Sequence, residues 1–322
     1  MQAARVHEGG SLIYETVPDP VAGPGEVVVE LRCSAVNRRD LLVRQGVYPF
    51  PLPITPGSDG AGIRRDTGEE IVILPSLFWG SAEDASGPEF QILGGPRDGT
   101  YAELIAIPGE NVFPKPASLS WHEAAAFPLA ALTAWRALFS RGNVRPGETV
   151  LVLGAGSGVS TFAVQLAAQA GARVLVTSSS QAKIDRSVEL GAEAGVLYTD
   201  AGWPAAAKEL AGGRGVDLVL DSVGSTWEQS LQTLRPGGRL VVFGGTGGTE
   251  VALQVRAVYL QQLSILGTTM GNPREFFDLL RAVGEGSWSP VIDSVFPLAD
   301  ADAAHTRIQS SDHFGKIVLD VA

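Results

Sequence analysis

The spacing of hydrophobic residues changes once along the chain, near residue 120. Before that point the apolar runs are short and end at glycines and prolines. Residues 27–33 (VVVELRC) follow the turn Gly23-Pro24-Gly25-Glu26, and residues 70–74 (EIVIL) and 101–107 make similar runs. Runs of this length between turn residues read as strands. The segment 57–62 (GSDGAG) is a turn feeding another strand. Residues 37–45 leave room for one or two helical turns, ended by Gly46 and by Pro49, Pro51, Pro53 and Pro56. Residues 76–98 read as a long polar loop, and loops of that length are often functional. The whole segment predicts a small β-barrel.

From Trp121 the pattern alternates. Residues 122–139 are alanine-rich and helical, with a break at Pro128. Strands are then predicted at 149–153, 173–177, 194–198, 216–220 and 239–243, separated by helices at 161–170, 181–190, 205–210 and 226–234. Five strands alternating with helices predict a doubly wound parallel sheet. Ser264-Ile265-Leu266-Gly267 is a sixth strand at the sheet edge, and a helix follows at 273–283. The last strand, 315–319, is placed to return to the first domain. The predicted division is residues 1–120 with 287–322, and residues 121–286.

Composition narrows the class. The 322 residues suffice for about two domains. With 45% hydrophobic and 18% charged residues, the chain can bury a core and is not disordered. A net charge of −11 argues against nucleic acid or an anionic membrane as partner. No stretch approaches the roughly 18 apolar residues of a membrane span. Met1-Gln2-Ala3-Ala4-Arg5 leads into no apolar signal region, and a cytoplasmic location is expected. Cys33 is the only cysteine, which excludes an intramolecular disulfide and a multi-cysteine metal cage.

The chemistry centres on residues 148–177. A buried strand ends in Gly154-Ala155-Gly156-Ser157-Gly158-Val159-Ser160, a helix follows, and a second buried strand comes next. Such a turn suits a pyrophosphate: bare glycines let the backbone approach, and a helix start presents unpaired N–H groups. Val159 stands where the usual G-x-G-x-x-G spacing has glycine, so the strand–turn–helix context carries the assignment. The contacts assigned to a dinucleotide are Gly154, Gly156, Ser157, Gly158 and Val159. Gly224 and Gly244, at the ends of the fourth and fifth strands, add the backbones of Val223–Gly224 and Gly244–Thr246. Tyr198 ends the third strand, and Met270 follows the edge strand; Met270 has core filler as its alternative. NADH-specific proteins place an acid at the end of the second strand. Here Thr177-Ser178-Ser179-Ser180 carries none, and Lys183 follows in the first turn or so of the next helix. NADPH is the expected cofactor, with Ser178, Ser179 and Lys183 at its 2′-phosphate. The alternative is that the serines only cap the helix.

Several further motifs resemble the medium-chain dehydrogenase/reductase superfamily in its zinc-less, quinone-oxidoreductase-like branch. They are Pro24-Gly25-Glu26-Val27, Val36-Asn37-Arg38-Arg39-Asp40, Pro56-Gly57-Ser58-Asp59-Gly60-Ala61-Gly62 and Asp98-Gly99-Thr100-Tyr101-Ala102-Glu103. Leu132-Thr133-Ala134-Trp135, Leu234-Arg235-Pro236-Gly237-Gly238-Arg239 and Gly315-Lys316-Ile317-Val318-Leu319 complete the set, in an order covering nearly the whole chain. The resemblance implies an α/β protein: a GroES-like β-barrel domain, then a Rossmann doubly wound parallel sheet domain, with substrate in the cleft between them. It implies a homodimer through the 264–267 edge strand. It places Thr133 at the nicotinamide, and Asn37 and Tyr48 at the cleft.

Zinc-dependent relatives have a Cys where Asn37 stands and a His where Ser58 stands, and neither residue present is a common zinc ligand. Asp40 and Asp59 match carboxylates that support those ligands, and they read here as structural. The 76–98 loop, where relatives carry a four-cysteine zinc lobe, has no cysteine. His7, His122, His305 and His313 form no pair at metal-binding spacing, so no metal is expected. Without one, catalysis would rest on hydride transfer with electrostatic help. The Asn37 amide suits a carbonyl oxygen, and the Tyr48 hydroxyl suits a hydrogen bond or proton relay. The alternatives are that Asn37 only satisfies backbone groups and Tyr48 only packs in the proline loop. The expected function is reduction of quinones or other conjugated carbonyl compounds by NADPH, independent of zinc. An alcohol dehydrogenase and a nucleotide-binding sensor or structural protein with negligible turnover stand as alternatives.

Overall fold

The computed structural model describes residues 1–284 and 288–321. It divides into two compact units, Met1–Leu132 with Gly271–Ala322, and Thr133–Met270. The first is the GroES-like unit and the second the Rossmann-like unit.

In the first unit a seven-stranded sheet is centred on Glu26–Val36. Val27, Val29, Leu31 and Cys33 alternate inward along it, the two-residue period of a strand with one face in the core. Asp59–Arg64 pairs along one side of this strand. On the other side Leu104–Pro108 takes its first half and Lys316–Asp320 its last. The C-terminal strand thus returns to the N-terminal sheet, as the sequence predicts. Gly57 has φ +100°, and a Cβ there would sit 2.6 Å from Thr100 Oγ1, so only glycine can carry the loop that delivers Ser58 and Asp59. The predicted 76–98 loop holds two short paired strands, Ser76–Leu77 and Gln91–Ile92. The hairpin Gln2–Val6 with Leu12–Thr16, the strand Ile292–Pro297 and the helix Ala301–Gln309 were not foreseen.

The units divide at 132/133 and 270/271, not at the expected 120/121; the expected 286/287 boundary lies outside the described residues. The shift has a packing cause. Ala124, Ala125 and Ala126 of the Trp121–Ala126 helix are fully buried, and their small side chains let this helix pack on the Glu26–Val36 and Asp59–Arg64 strands. Phe276, in the Pro273–Gly284 helix, lies 5.1 Å from Phe113 and 6.0 Å from Phe127 between ring centroids. Both helices therefore bury their apolar faces in the first unit.

The second unit is a six-stranded parallel sheet in the order Ala194–Leu197, Arg173–Ser178, Thr149–Val152, Val216–Asp221, Leu234–Val242, Ser264–Gly267. Val150, Leu151 and Val152 are at most 1% exposed, as both-face burial of a parallel sheet requires. Chain order reverses beside Thr149–Val152, which makes the C-terminal end of that strand the crevice where such sheets bind ligands. Among the described residues no helix is long and apolar enough to cross a membrane.

One buried ion pair ties the last strand of the first unit to its core. Lys316, 3% exposed, places Nζ 2.9 Å from Oδ2 of the fully buried Asp59, and also donates to Val36 O and Asn37 Oδ1. Lys316→Met leaves Asp59 charged and unpaired, and should lower unfolding stability by about 3–5 kcal/mol at pH 7. Adding Asp59→Asn should recover much of that loss. Denaturant melts of the single and double variants check this, and a wild-type midpoint in Lys316→Met would show that the pair does not constrain the fold.

Candidate functional site

In the second unit the glycine turn is held by the next strand. Gly154, at φ +71°, donates its N–H to Thr177 Oγ1 at 3.2 Å, and Ala155 donates to Thr177 O at 2.7 Å. The helix is Gly158–Gln169, starting three residues before the expected 161. Ser157 causes the difference, because its hydroxyl accepts the Ser160 N–H at 3.2 Å and caps the helix. The Gly158 and Val159 amides precede the first intrahelical acceptor and sit at the positive end of the helix dipole. A Cβ on Gly154 would meet nothing within 4 Å, so the approach to the turn is clear. This set fits a pyrophosphate.

The serine run is partly committed. Ser178 is 2% exposed, and its hydroxyl accepts the Ser180 N–H at 3.2 Å. Ser179 is exposed, while Lys183 is half-buried in the Gln181–Glu189 helix. Tyr198 is exposed and donates its N–H to Ser178 O at 2.9 Å. The Val223 and Gly224 amides, expected to face cofactor, both donate to Asp221 Oδ1, at 2.6 and 3.0 Å. Val223 O accepts Gly247 N–H at 2.8 Å, and Thr246 donates N–H and Oγ1 to Ser222 O, both at 3.1 Å. These two loops are zipped to each other, which leaves little backbone polarity for a ligand. Asp221 is the organiser that sequence reading missed; an acid at the end of a buried strand was its only signal. Gly244 stands at the end of the Leu234–Val242 strand, packed against Ser222. Thr133 is 5% exposed, and Met270 is 4% exposed with φ +47°.

In the first unit the expected substrate-facing amide of Asn37 turns inward. Its Nδ2 donates to Asp59 Oδ2 at 2.9 Å, and its Oδ1 accepts from Lys316 Nζ at 2.6 Å. An ammonium only donates, so this pairing fixes which end of the amide is oxygen. The expectation that Asn37 offers a donor to substrate is thereby corrected: the amide nitrogen donates to Asp59 and, at 3.4 Å, to Ala35 O. Ser58 is equally committed, donating to Leu93 O at 2.7 Å. Asp59 completes its shell by accepting the Leu129 N–H at 2.7 Å on Oδ1.

Zinc at this place does not fit. It requires thiolate, imidazole or carboxylate donors, and the acceptors gathered here are already turned on a buried ammonium. Tyr48 behaves differently. It is 42% exposed, with its ring 5.5 Å from the Arg39 guanidinium and 6.3 Å from Phe50. It lines an open depression of about 500 Å³ together with Gly10, Val43, Arg44, Phe50 and Leu52.

Behind Asn37 runs a buried polar chain. Asp40 Oδ2 accepts the Asn37 N–H at 2.8 Å and the Tyr101 hydroxyl at 3.2 Å, and that hydroxyl lies 3.2 Å from His305 Nε2. Burial pushes the Asp40 carboxyl up to about 6, against the pull of the Asn37 N–H and the Arg39 guanidinium. Burial pushes His305 down to about 4, with the Arg44 charge adding to it. Because the folded pKa of Asp40 is raised, its stabilising contribution is full below its ordinary 3.8 and is lost as pH rises through about 6. Asp40→Asn keeps an acceptor for both hydrogen bonds and removes the titration. It should be about 2 kcal/mol more stable than wild type at pH 7.5, with the gain vanishing below pH 4. Thermal melts of both proteins across pH check this, and a pH-independent difference would refute the assignment.

Comparison with known proteins agrees with this architecture. The sequence matches the alcohol dehydrogenase GroES-like domain over residues 23–117 and the zinc-binding dehydrogenase domain over residues 158–285. A zinc-type alcohol dehydrogenase-like protein of Schizosaccharomyces pombe is 35% identical over 317 residues, covering 92% of this chain and 91% of the relative. The quinone oxidoreductase of Rattus norvegicus is 31% identical over 333 residues, covering 99% and 97%. A crystal structure of an NAD-dependent alcohol dehydrogenase superposes with a TM-score of 0.94 at 39% identity, covering all of both chains. With the strand–turn–helix site and the GroES-like sheet already in place, these likenesses make the chain an oxidoreductase of the medium-chain dehydrogenase/reductase superfamily.

Proposed function

We propose that this oxidoreductase is a zinc-independent, NADPH-dependent reductase of quinones or other conjugated carbonyl compounds. The observation that carries the reading is the buried Lys316 ammonium, held by Asn37 Oδ1, Val36 O and Asp59 Oδ2 beside the two positions where zinc-dependent relatives would have ligands. When bound, the cofactor supplies the hydride. The glycine turn and the first amides of the Gly158–Gln169 helix bind its pyrophosphate. Ser179 and Lys183 receive the 2′-phosphate, with Ser178 shaping the turn behind them. Tyr48 orients the substrate carbonyl or returns a proton to it, and Asn37 acts from behind by fixing Lys316 and Asp59.

A second reading, NAD-dependent alcohol oxidation, is favoured by the 39% identity to a solved NAD-dependent alcohol dehydrogenase. Consumption of NADPH and NADH with a panel of quinones and enones, and of NAD with simple alcohols, separates the two. The proposal requires quinone turnover that persists in chelator. Alcohol oxidation lost on chelation would overturn it.

Tyr48→Phe should lower kcat/KM by roughly a hundredfold, the cost of one donor at an oxygen where charge develops, with NADPH affinity unchanged. Asn37→Ala should lower the melting temperature as well as the rate, because it loosens the Lys316–Asp59 pair. Wild-type turnover in Tyr48→Phe across several quinones would reassign that tyrosine to packing.

For the cofactor, Lys183→Ala should weaken NADPH by roughly 10–100-fold, the worth of a charge-assisted bond, and leave NADH nearly unchanged. Ser179→Asp should weaken NADPH further by like-charge repulsion. Titration of cofactor fluorescence measures both. Equal wild-type affinity for the two cofactors, unmoved by Lys183→Ala, would be incompatible with this assignment.

A further inference from the structure

Cys33, His122 and Asp320 come from three elements distant in sequence: the Glu26–Val36 strand, the Trp121–Ala126 helix and the Lys316–Asp320 strand. Cys33 and Asp320 are directly opposed in the antiparallel ladder. The adjacent bond, Val321 N–H to Arg32 O at 2.9 Å, makes theirs a non-hydrogen-bonded pair, in which facing side chains stand closest. The helix packs over this end of the ladder and brings the imidazole to the same point.

Asp320 Oδ1 lies 3.7 Å from Cys33 Sγ and 3.6 Å from His122 Nε2, and all three atoms fall within 4.8 Å of one another. Zinc bonds of about 2.3 Å to sulfur and about 2.0–2.2 Å to nitrogen or oxygen put tetrahedral ligands about 3.3–3.6 Å apart. Two of the three separations are therefore already near the required values. Cys33 is 1% exposed, while the His122 and Asp320 side chains are 40% and 50% exposed, so one side of the triangle opens to solvent for a fourth, water ligand.

We propose that Cys33 Sγ, His122 Nε2 and Asp320 Oδ1 form a binding site for one divalent transition-metal ion of the zinc type. Thiolate, imidazole and carboxylate are the donors such ions select. On binding, the Cys33 thiol gives its proton to solvent and sulfur bonds the metal, with no change of oxidation state. Thiolate and carboxylate together balance the charge of the ion. The site is distinct from Asn37, Ser58 and Lys316, and it pins the C-terminal strand and the Trp121–Ala126 helix to the sheet. Spacing along the sequence could not reveal it, because no two of its ligands are closer than 89 positions.

The sole cysteine makes the test unambiguous, since any thiolate-to-cobalt absorption band must come from Cys33. Titration of the full-length protein with cobalt should produce that band in the near ultraviolet, saturating at one ion per chain, and zinc should abolish it. Cys33→Ala should remove the band. His122→Ala and Asp320→Asn, at half-exposed positions that leave the core intact, should each weaken cobalt binding by more than about tenfold. Even outer partners of metal ligands are worth roughly 10–100-fold in affinity. No band at millimolar cobalt would overturn the proposal. So would a band unchanged by His122→Ala, and the three groups would then be a cross-strand thiol–carboxylate contact beside a surface ion pair.

Discussion

A single buried positive charge sets the geometry of the GroES-like unit. An ammonium removed from water must be surrounded by acceptors, and Lys316 gathers three: a strand-end carbonyl, an amide oxygen and a carboxylate. Two come from the adjacent residues Val36 and Asn37 and the third from Asp59, so the C-terminal strand, the loop at Asn37 and the loop at Asp59 are positioned against one point. The same charge determines what its neighbours can do. It turns Asn37 so that the amide oxygen faces inward, and it takes one of the two Asp59 oxygens. It lies near enough to Asp40 to pull that carboxyl down, yet not enough to outweigh burial. Asp40 shares that buried region without touching the ammonium, and burial holds its carboxyl above the ordinary range.

The Rossmann-like unit solves a related problem with neutral groups and one acid. Loops at the C-terminal ends of parallel strands expose backbone polarity that must find partners. Thr177 supplies one to the glycine turn, and Asp221 supplies several to the loop after the fourth strand. The result discriminates between glycine-containing loops that look alike in sequence. At Gly158–Val159 the amides are left at a helix start and can meet an anion. At Val223–Gly224 they are consumed internally.

The parallel sheet and the strand–turn–helix at Gly154–Ser160 were legible because short apolar runs, turn residues and helices alternate over most of that unit. The return of the last strand was legible for the same reason, in Lys316-Ile317-Val318-Leu319. The domain boundary was not. Alanine-rich 121–126 reads as a helix from its period, but only packing shows that three adjacent alanines bury it on the β-sheet of the first unit. The role of Asn37 was hidden too, since its partners at 59 and 316 meet it only in three dimensions. Ser178 carries a role that spacing did not show: its hydroxyl accepts a hydrogen bond that shapes the chain two residues on.

The chemistry follows from what an ammonium can and cannot replace. A metal ion polarises a bound oxygen and makes an alcohol proton easy to remove. Lys316 carries positive charge but no open coordination position, and its donors are directed at Val36, Asn37 and Asp59 rather than outward. A site built this way offers little help to the oxidation of a simple alcohol, where a proton must leave before or with the hydride. A quinone or enone needs less. Its conjugated carbonyl spreads the incoming charge over several atoms, so that one well-placed hydroxyl and the cofactor can suffice. On the proposed reading, the substrate class is therefore a consequence of the buried charge.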